Sequence, residues 1–373
     1  MYDKPVLVYY SQDCFIQVDD TVLCHLTNNF KVVWFYLYES MQANTMRYNP
    51  VKAQEYADKY GITLEIVDPK MRRRNPENIL FYKNLAKRIN SYNPDIVYAC
   101  EMFPFWMLTY HYVKCKNKVY GIHDVLPHYQ KAGFIKKWIL KKKEQYIKQN
   151  FDHIVTFSKN QQILLKEHFG KDSDMVGMSF KYFGDSKKIP SPFENGVKIL
   201  FFGIISHYKG LDLLIKAMEE LKLEGVNNIQ LTIAGRGEAW AECQPLIKSP
   251  ELYNLQVRFI ENAEIPDLMG SHHFIVLPYR SATQSGPLVA ALGYGVPVVA
   301  PSFGCFTDTV NTNTAVLYKQ GNLKDALRNV SRMTKSEYEK MREAMAILRE
   351  QYSEESIAAN YIKTFKKVLD KKN

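Results

Sequence analysis

Short apolar runs alternate along the chain with stretches whose apolar positions follow helical spacing. Val6–Tyr10, Lys31–Tyr38, Ile62–Val67, Asp95–Cys100, Lys118–Ile122 and His153–Phe157 have the length and bulk of buried strands. Val51–Lys59 and Pro76–Ser91 carry helical spacing between them. Asn75-Pro76-Glu77 supplies a start for the second, with a capping side chain and a proline in the first turn. Such alternation predicts a parallel sheet with helices on both faces.

The pattern breaks at Asp185–Gly196, where prolines, serines, a glycine and charges collect, and then restarts. Lys198–Phe202, Gln230–Ala234, Val257–Ile260, Phe274–Leu277 and Val296–Ala300 read as strands, and Leu211–Leu221 as a helix. Two helical stretches, about 335–350 and 354–372, close the chain. The expected class is therefore α/β, with two doubly wound Rossmann-like domains, 1–190 and 191–353. Ligands bind beyond the carboxyl ends of such strands, so facing sheets place a central cleft between the domains.

Ile275–Ala300 is the most informative segment: strand, polar loop, short helix, tight turn, strand. Ser285 can cap the helix, Gly286 lets backbone approach a ligand, and Pro287 suits the first helical position. The amides of a helix start then face the ligand side, as a diphosphate requires. Any βαβ unit has a helix start, and the Thr283-Gln284-Ser285-Gly286 loop is what tips this one towards anion binding. In Lys198–Ala217 a strand ends at Gly203 and a loop delivers Lys209-Gly210 to a helix. Lys209 is placed to reach a phosphate there, although a lone loop lysine is ordinarily solvated.

Composition narrows the partners. The chain has 373 residues, 46% of them hydrophobic, and a net charge of +10. The positive excess favours an anionic partner, and the absence of any nucleic-acid signature argues against nucleic acid. The six scattered cysteines contain no C-x-x-C pair, so zinc or dithiol chemistry is not expected and a reduced, cytoplasmic setting is. The opening residues read as a strand rather than a signal peptide, and no run is long enough to span a membrane.

Taken together, the Gly203 loop with Tyr208-Lys209-Gly210, Ile233–Gly237, the Leu277-Pro278-Tyr279 to Gly286 loop and Gly295–Ala300 resemble family 4 of the retaining GT-B glycosyltransferases, in the subgroup with a Thr-Gln-Ser-Gly loop. The likeness covers about 198–317; Gly121–His128 and Phe151–Ser158 resemble the family's last amino-domain strands more weakly. Tyr352–Leu369 resembles the helix that, in the family, returns to complete the first domain, here 354–373.

The resemblance implies a nucleotide-sugar donor on the second domain and a glycan or lipid-linked acceptor on the first, as in cell-surface polysaccharide assembly. Gly203, Lys209, Thr283, Gln284, Ser285 and Gly286 would hold the diphosphate and Lys209 would neutralise the leaving group. His123 would contact the sugar, and Arg236 and Glu264 the nucleotide. Transfer would retain the anomeric configuration, with no metal and no cofactor.

The chain departs from the family in places. Ile204 replaces an arginine that often follows the glycine, and Arg280 or Arg236 is the available compensating cation. Two glutamates common around the diphosphate loop fall at Ala290 and near Ala282. Ser11-Gln12-Asp13 lacks the usual glycine pair, and Met175–Lys181 stands where relatives often carry proline–histidine–glycine. These departures keep open a non-catalytic paralogue that acts as a partner subunit or sugar-nucleotide binder; a sugar-nucleotide epimerase on a similar fold is the third reading. Finally, Lys131–Lys148 mixes lysines with Phe134, Trp138 and Ile139, as a helix on an anionic membrane surface does, and Arg72-Arg73-Arg74 extends the charge. The expected location is the inner face of the membrane.

Overall fold

The computed structural model describes residues 4–12, 16–40, 49–72, 75–100, 104–125, 134–180, 182–282 and 284–370. The chain divides into two compact units, Met1–Ser179 with Glu354–Asn373, and Phe180–Ser353. The first unit begins β1 (Val6–Gln12), α1 (Ile16–Leu26), β2 (Lys31–Leu37), α2 (Pro50–Tyr60), β3 (Thr63–Val67), α3 (Asn78–Ser91) and β4 (Ile96–Cys100). It continues α4 (Pro104–Tyr112), β5 (Asn117–Ile122), α5 (Phe134–Asn150), β6 (His153–Thr156), α6 (Lys159–Phe169) and β7 (Asp174–Met175). The second runs β8 (Val197–Phe202), α7 (Leu211–Leu223), β9 (Ile229–Ala234), α8 (Trp240–Cys243), β10 (Tyr253–Gln256), α9 (Ile265–Gly270) and β11 (Phe274–Val276). Then follow α10 (Gly286–Gly293), β12 (Val298–Pro301), α11 (Cys305–Thr309), β13 (Ala315–Tyr318), α12 (Leu323–Arg332) and α13 (Lys335–Gln351), before α14 (Glu354–Asp370) returns to the first unit.

The sheets have seven strands in the order β3-β2-β1-β4-β5-β6-β7 and six in the order β10-β9-β8-β11-β12-β13. All pairings among the described residues are parallel. Each unit is thus doubly wound, and strand order reverses beside its first strand, between β1 and β4 and between β8 and β11.

Strand periodicity explains why both faces are covered. In β8, Val197, Ile199 and Phe201 pack with Leu214 and Met218 of α7 and Leu327 of α12. The intervening Leu200 points to the other face, with Met269, Leu288 and Ala291. Each such large side chain contributes about 1.5–3 kcal/mol on burial. In the first unit Val8, Tyr10, Val33, Phe35 and Val97 pack with Leu85 and Ile89 of α3. The opposite register carries Tyr9, Trp34 and Tyr98, all fully buried. There Tyr361 and Phe365 of α14 meet the Tyr98 ring at 5.9 and 5.6 Å. The buried positions of α14, Ile357, Ala358, Tyr361, Thr364, Phe365 and Val368, recur at helical spacing.

Three expectations shift. The unit boundary lies at Ser179–Phe180 rather than at 190, because the chain beyond it is tied to the second unit. The Phe180 amide donates to Tyr352 O, Phe183 N–H to the Tyr294 hydroxyl, and Lys187 N–H to Asp267. The strand expected at Val257–Ile260 lies earlier, at Tyr253–Gln256, where it pairs with Leu231–Ala234. Arg258 N–H then turns back to Gln256 O. Lastly, α3 starts at Asn78, with Asn75 Oδ1 accepting from Glu77 N–H just before it.

Candidate functional site

At the β8/β11 reversal in the second unit, the loops leaving β8, β9 and β11 lie against one another, and glycines let them do so. Gly203 N–H donates to Ala234 O and Ile205 N–H to Arg236 O. A Cβ on Gly235 (φ +146°) would sit 1.8 Å from Gly203 O, and one on Gly237 2.0 Å from Ile205 O. On the other side, Gly210 (φ +68°) lies so close to Pro278 that a Cβ would be 2.0 Å from its carbonyl oxygen. Arg280 N–H donates to Tyr208 O. The Ala-Gly-Arg-Gly glycines therefore serve backbone packing.

Lys209 ends a short 3-10 turn, and its side chain turns inward, leaving the residue 7% exposed. Its Nζ lies 5.5 Å from the Tyr279 ring centroid. A Cβ on Gly203 would lie 3.2 Å from this ammonium and 3.4 Å from Cγ of Pro287, so lysine, glycine and the first turn of α10 converge. Among the described residues no carboxylate or carbonyl takes the ammonium's protons, and burial alone brings Lys209 down to about 8.

Ser285 caps α10 from an extended backbone, its Oγ accepting from Leu288 N–H at 3.3 Å. The same hydroxyl donates to the Tyr279 hydroxyl at 3.3 Å. The helix starts at Gly286, so Pro287 takes its second position. Pro287 has no N–H and Leu288 gives its own to the cap, leaving the amides at Ser285 and Gly286 for an anion. Gly286 is exposed, and a Cβ there would meet nothing within 4 Å. The Gln284 amide nitrogen is buried without a hydrogen-bond partner among the described residues, as is the Ser206 hydroxyl. Thr283 lies outside the described residues.

The other cations differ. Arg280, expected as a compensating charge, is committed instead: it forms a bidentate pair with Asp212 at 2.8 and 2.7 Å and donates to His207 O. Arg236 is exposed, its guanidinium 5.4 Å from the Phe259 ring centroid. Glu264 faces Arg258, which holds its carboxyl down at about 2, and it also accepts from Glu261 N–H. Ile204, where the arginine was looked for, is 57% exposed. Tyr279, in the Leu277-Pro278-Tyr279 run, is a further residue of this cluster that the sequence alone does not mark: its ring lies by the Lys209 ammonium and its hydroxyl accepts from Ser285.

His123 belongs to the first unit, immediately after β5, with its ring stacked on Phe157 at 3.8 Å. It is buried. Gln12, at the end of β1, donates to Cys100 O at 3.3 Å, while Asp13 lies outside the described residues. On α5, Trp138 is 55% exposed and Lys142 lies over its ring at 6.0 Å. Residues 131–133, 73 and 74 lie outside the described residues. No helix among the described residues is long and apolar enough to cross a membrane.

Residues 196–336 match a family model described as "Glycosyl transferases group 1", and residues 26–176 one described as "Glycosyltransferase Family 4". A 2-deoxystreptamine glucosyltransferase from Streptomyces kanamyceticus is 29% identical over 150 residues, covering 39% of this chain and 38% of that protein. The chain therefore matches well under half the length of this curated relative. Among solved structures, a glycosyltransferase from Rickettsia africae superposes with a TM-score of 0.74 at 16% identity, covering 99% of both chains. The Anabaena protein HepE, solved with UDP-glucose, gives a TM-score of 0.70 at 13% identity, covering 97% of this chain and 99% of that one.

Proposed function

We propose that this chain, which has the GT-B fold and matches the Glycosyltransferase Family 4 model over residues 26–176 and the Glycosyl transferases group 1 model over residues 196–336, transfers a sugar from a nucleotide-diphosphate donor to a glycan or lipid-linked saccharide. The observation that carries this reading is the buried Lys209 ammonium, without a counter-ion among the described residues, beside the capped start of α10. Such a charge is costly unless an anion arrives to share it. A diphosphate seated there accepts from the Ser285 and Gly286 amides and from Lys209. As the glycosidic bond breaks, the negative charge growing on the departing diphosphate meets donors already in place. The leaving group is stabilised by nitrogen donors, so this scheme needs no metal, and the sugar keeps its anomeric configuration. HepE was solved with UDP-glucose, which supports a UDP-sugar as the first donor to try. His123 is assigned to the sugar, and Gln284 to the diphosphate side. An acceptor carried on lipid accords with the exposed Trp138 and lysines of α5, which suit an anionic cytoplasmic membrane face.

Ile204, and the engagement of Arg280 by Asp212, leave Lys209 as the single deep cation of the proposed donor site among the described residues, and this favours a second reading, a sugar-nucleotide binder without turnover. One experiment separates them. UDP-, GDP- and ADP-sugars are titrated by calorimetry, and those that bind are tested for transfer and hydrolysis. Turnover establishes the transferase, and binding alone the second reading. Lys209→Ala should weaken donor binding about 10–100-fold, the loss of a hydrogen bond to a charged group. Parental affinity in that variant would remove Lys209 from the site.

A further inference from the structure

A cluster of metal-ligating side chains lies in the first unit, separate from the donor loops. Cys24 and His25 are consecutive in the last turn of α1, and Glu354 opens α14. Their ligand atoms all lie within 4.8 Å of one another. His25 Nε2 stands 3.8 Å from Glu354 Oε2, beyond hydrogen-bonding distance. It is close to the about 3.3–3.5 Å that separates nitrogen and oxygen on one tetrahedral zinc ion. We propose that Cys24, His25 and Glu354 bind a divalent transition cation of the zinc class, which ties the start of α14 to the end of α1.

Thiolate, imidazole and carboxylate together select zinc-like cations over calcium or magnesium, and three protein ligands leave a fourth position for water. The local charge suits a dication. A thiolate at Cys24 and the Glu354 carboxylate would bring two negative charges to a cation held between them. The carboxyl end of α1 adds its own negative dipole. The turn is also held in place. Cys24 N–H donates to the Tyr56 hydroxyl at 3.0 Å, that hydroxyl donates to Asp20 O, and the Thr27 hydroxyl donates to Cys24 O at 2.7 Å. All three ligands are half-buried, so a cation can enter and still be shielded. On binding, the Cys24 sulfur forms a bond to the metal and its proton leaves to solvent, while His25 coordinates through neutral Nε2. Sequence inspection had no motif to find, because the third ligand comes from the far end of the chain.

The full chain, stripped with a chelator, is titrated with cobalt(II). The expected result is tetrahedral d–d absorption with a thiolate-to-cobalt charge-transfer band, bleached by zinc(II). Cys24→Ser abolishes the charge-transfer band and Cys115→Ser keeps it. His25→Ala and Glu354→Gln each weaken cobalt binding by about tenfold or more. Thermal melting of the metal-free variants alongside the metal-free parent checks their folding. Absence of the band in the saturated parent, which requires no variant to fold, overturns the proposal, as does its persistence in Cys24→Ser. Nucleotide-sugar binding by the stripped chain is read separately, so either result leaves the donor site to its own test.

Discussion

An ammonium closed off from water holds its proton less tightly, and at Lys209 that brings titration down to about 8. On the proposed function a bound diphosphate would supply the missing negative charge, so binding would take up a proton at pH values above this point. The sign follows directly. Below about pH 8 the lysine already carries its charge and nucleoside-diphosphate affinity is flat; above it, affinity falls about tenfold per pH unit. Calorimetry from neutral to alkaline pH measures this. Lys209→Arg, charged throughout, should flatten the curve even if it fits less well. A parent affinity that ignores pH over this span would show that Lys209 stays outside the binding step. Nothing in the local sequence separates Lys209 from Arg280 as a free cation. The distinction comes from Asp212, 68 residues before Arg280, which takes the guanidinium with both oxygens.

At the scale of elements, the loops leaving β8, β9 and β11 depend on backbone meeting backbone. Gly235→Ala places a Cβ against Gly203 O at a φ of +146°, and neither atom belongs to a side chain that could rotate away. The variant should lose about 1–3 kcal/mol in urea unfolding. Gly286→Ala is the informative contrast: its Cβ meets nothing in the protein, so stability should hold while donor affinity drops. Equal stability of Gly235→Ala and the parent would mean the loops are looser than described. Features written in neighbouring residues were legible in the sequence: most strands of both sheets, though not Asp174–Met175 or Ala315–Tyr318, together with the Ser285 cap and the closing helix. Val-Arg-Phe-Ile at 257–260 misled because its apolar bulk resembles a strand, yet Phe259 stands 44% exposed beneath Arg236. The boundary was placed late because Asp185–Gly196 has a linker's composition. Its attachment through Asp267 and His273 is long-range and leaves no local trace.

At the scale of the whole molecule, the second unit is continuous in sequence and the first is not. A chain ending at Ser353 would lose the buried Ile357, Tyr361, Phe365 and Val368 and uncover Tyr98 and Phe30. At about 1.5–3 kcal/mol per large side chain, that loss rivals the about 5–15 kcal/mol that holds a typical domain folded. Scanning calorimetry should show the first unit's transition missing and the second unit's transition retained; a truncated chain with both transitions intact would refute the role given to α14. The same discontinuity bears on birth at the ribosome. Residues 1–179 emerge first but must wait, with the part of one sheet face around Tyr98 bare, while 174 further residues are made. At typical translation speeds that interval is on the order of 10–40 s. During it the nascent first unit is a client for chaperones, and the later-made unit matures before the earlier one.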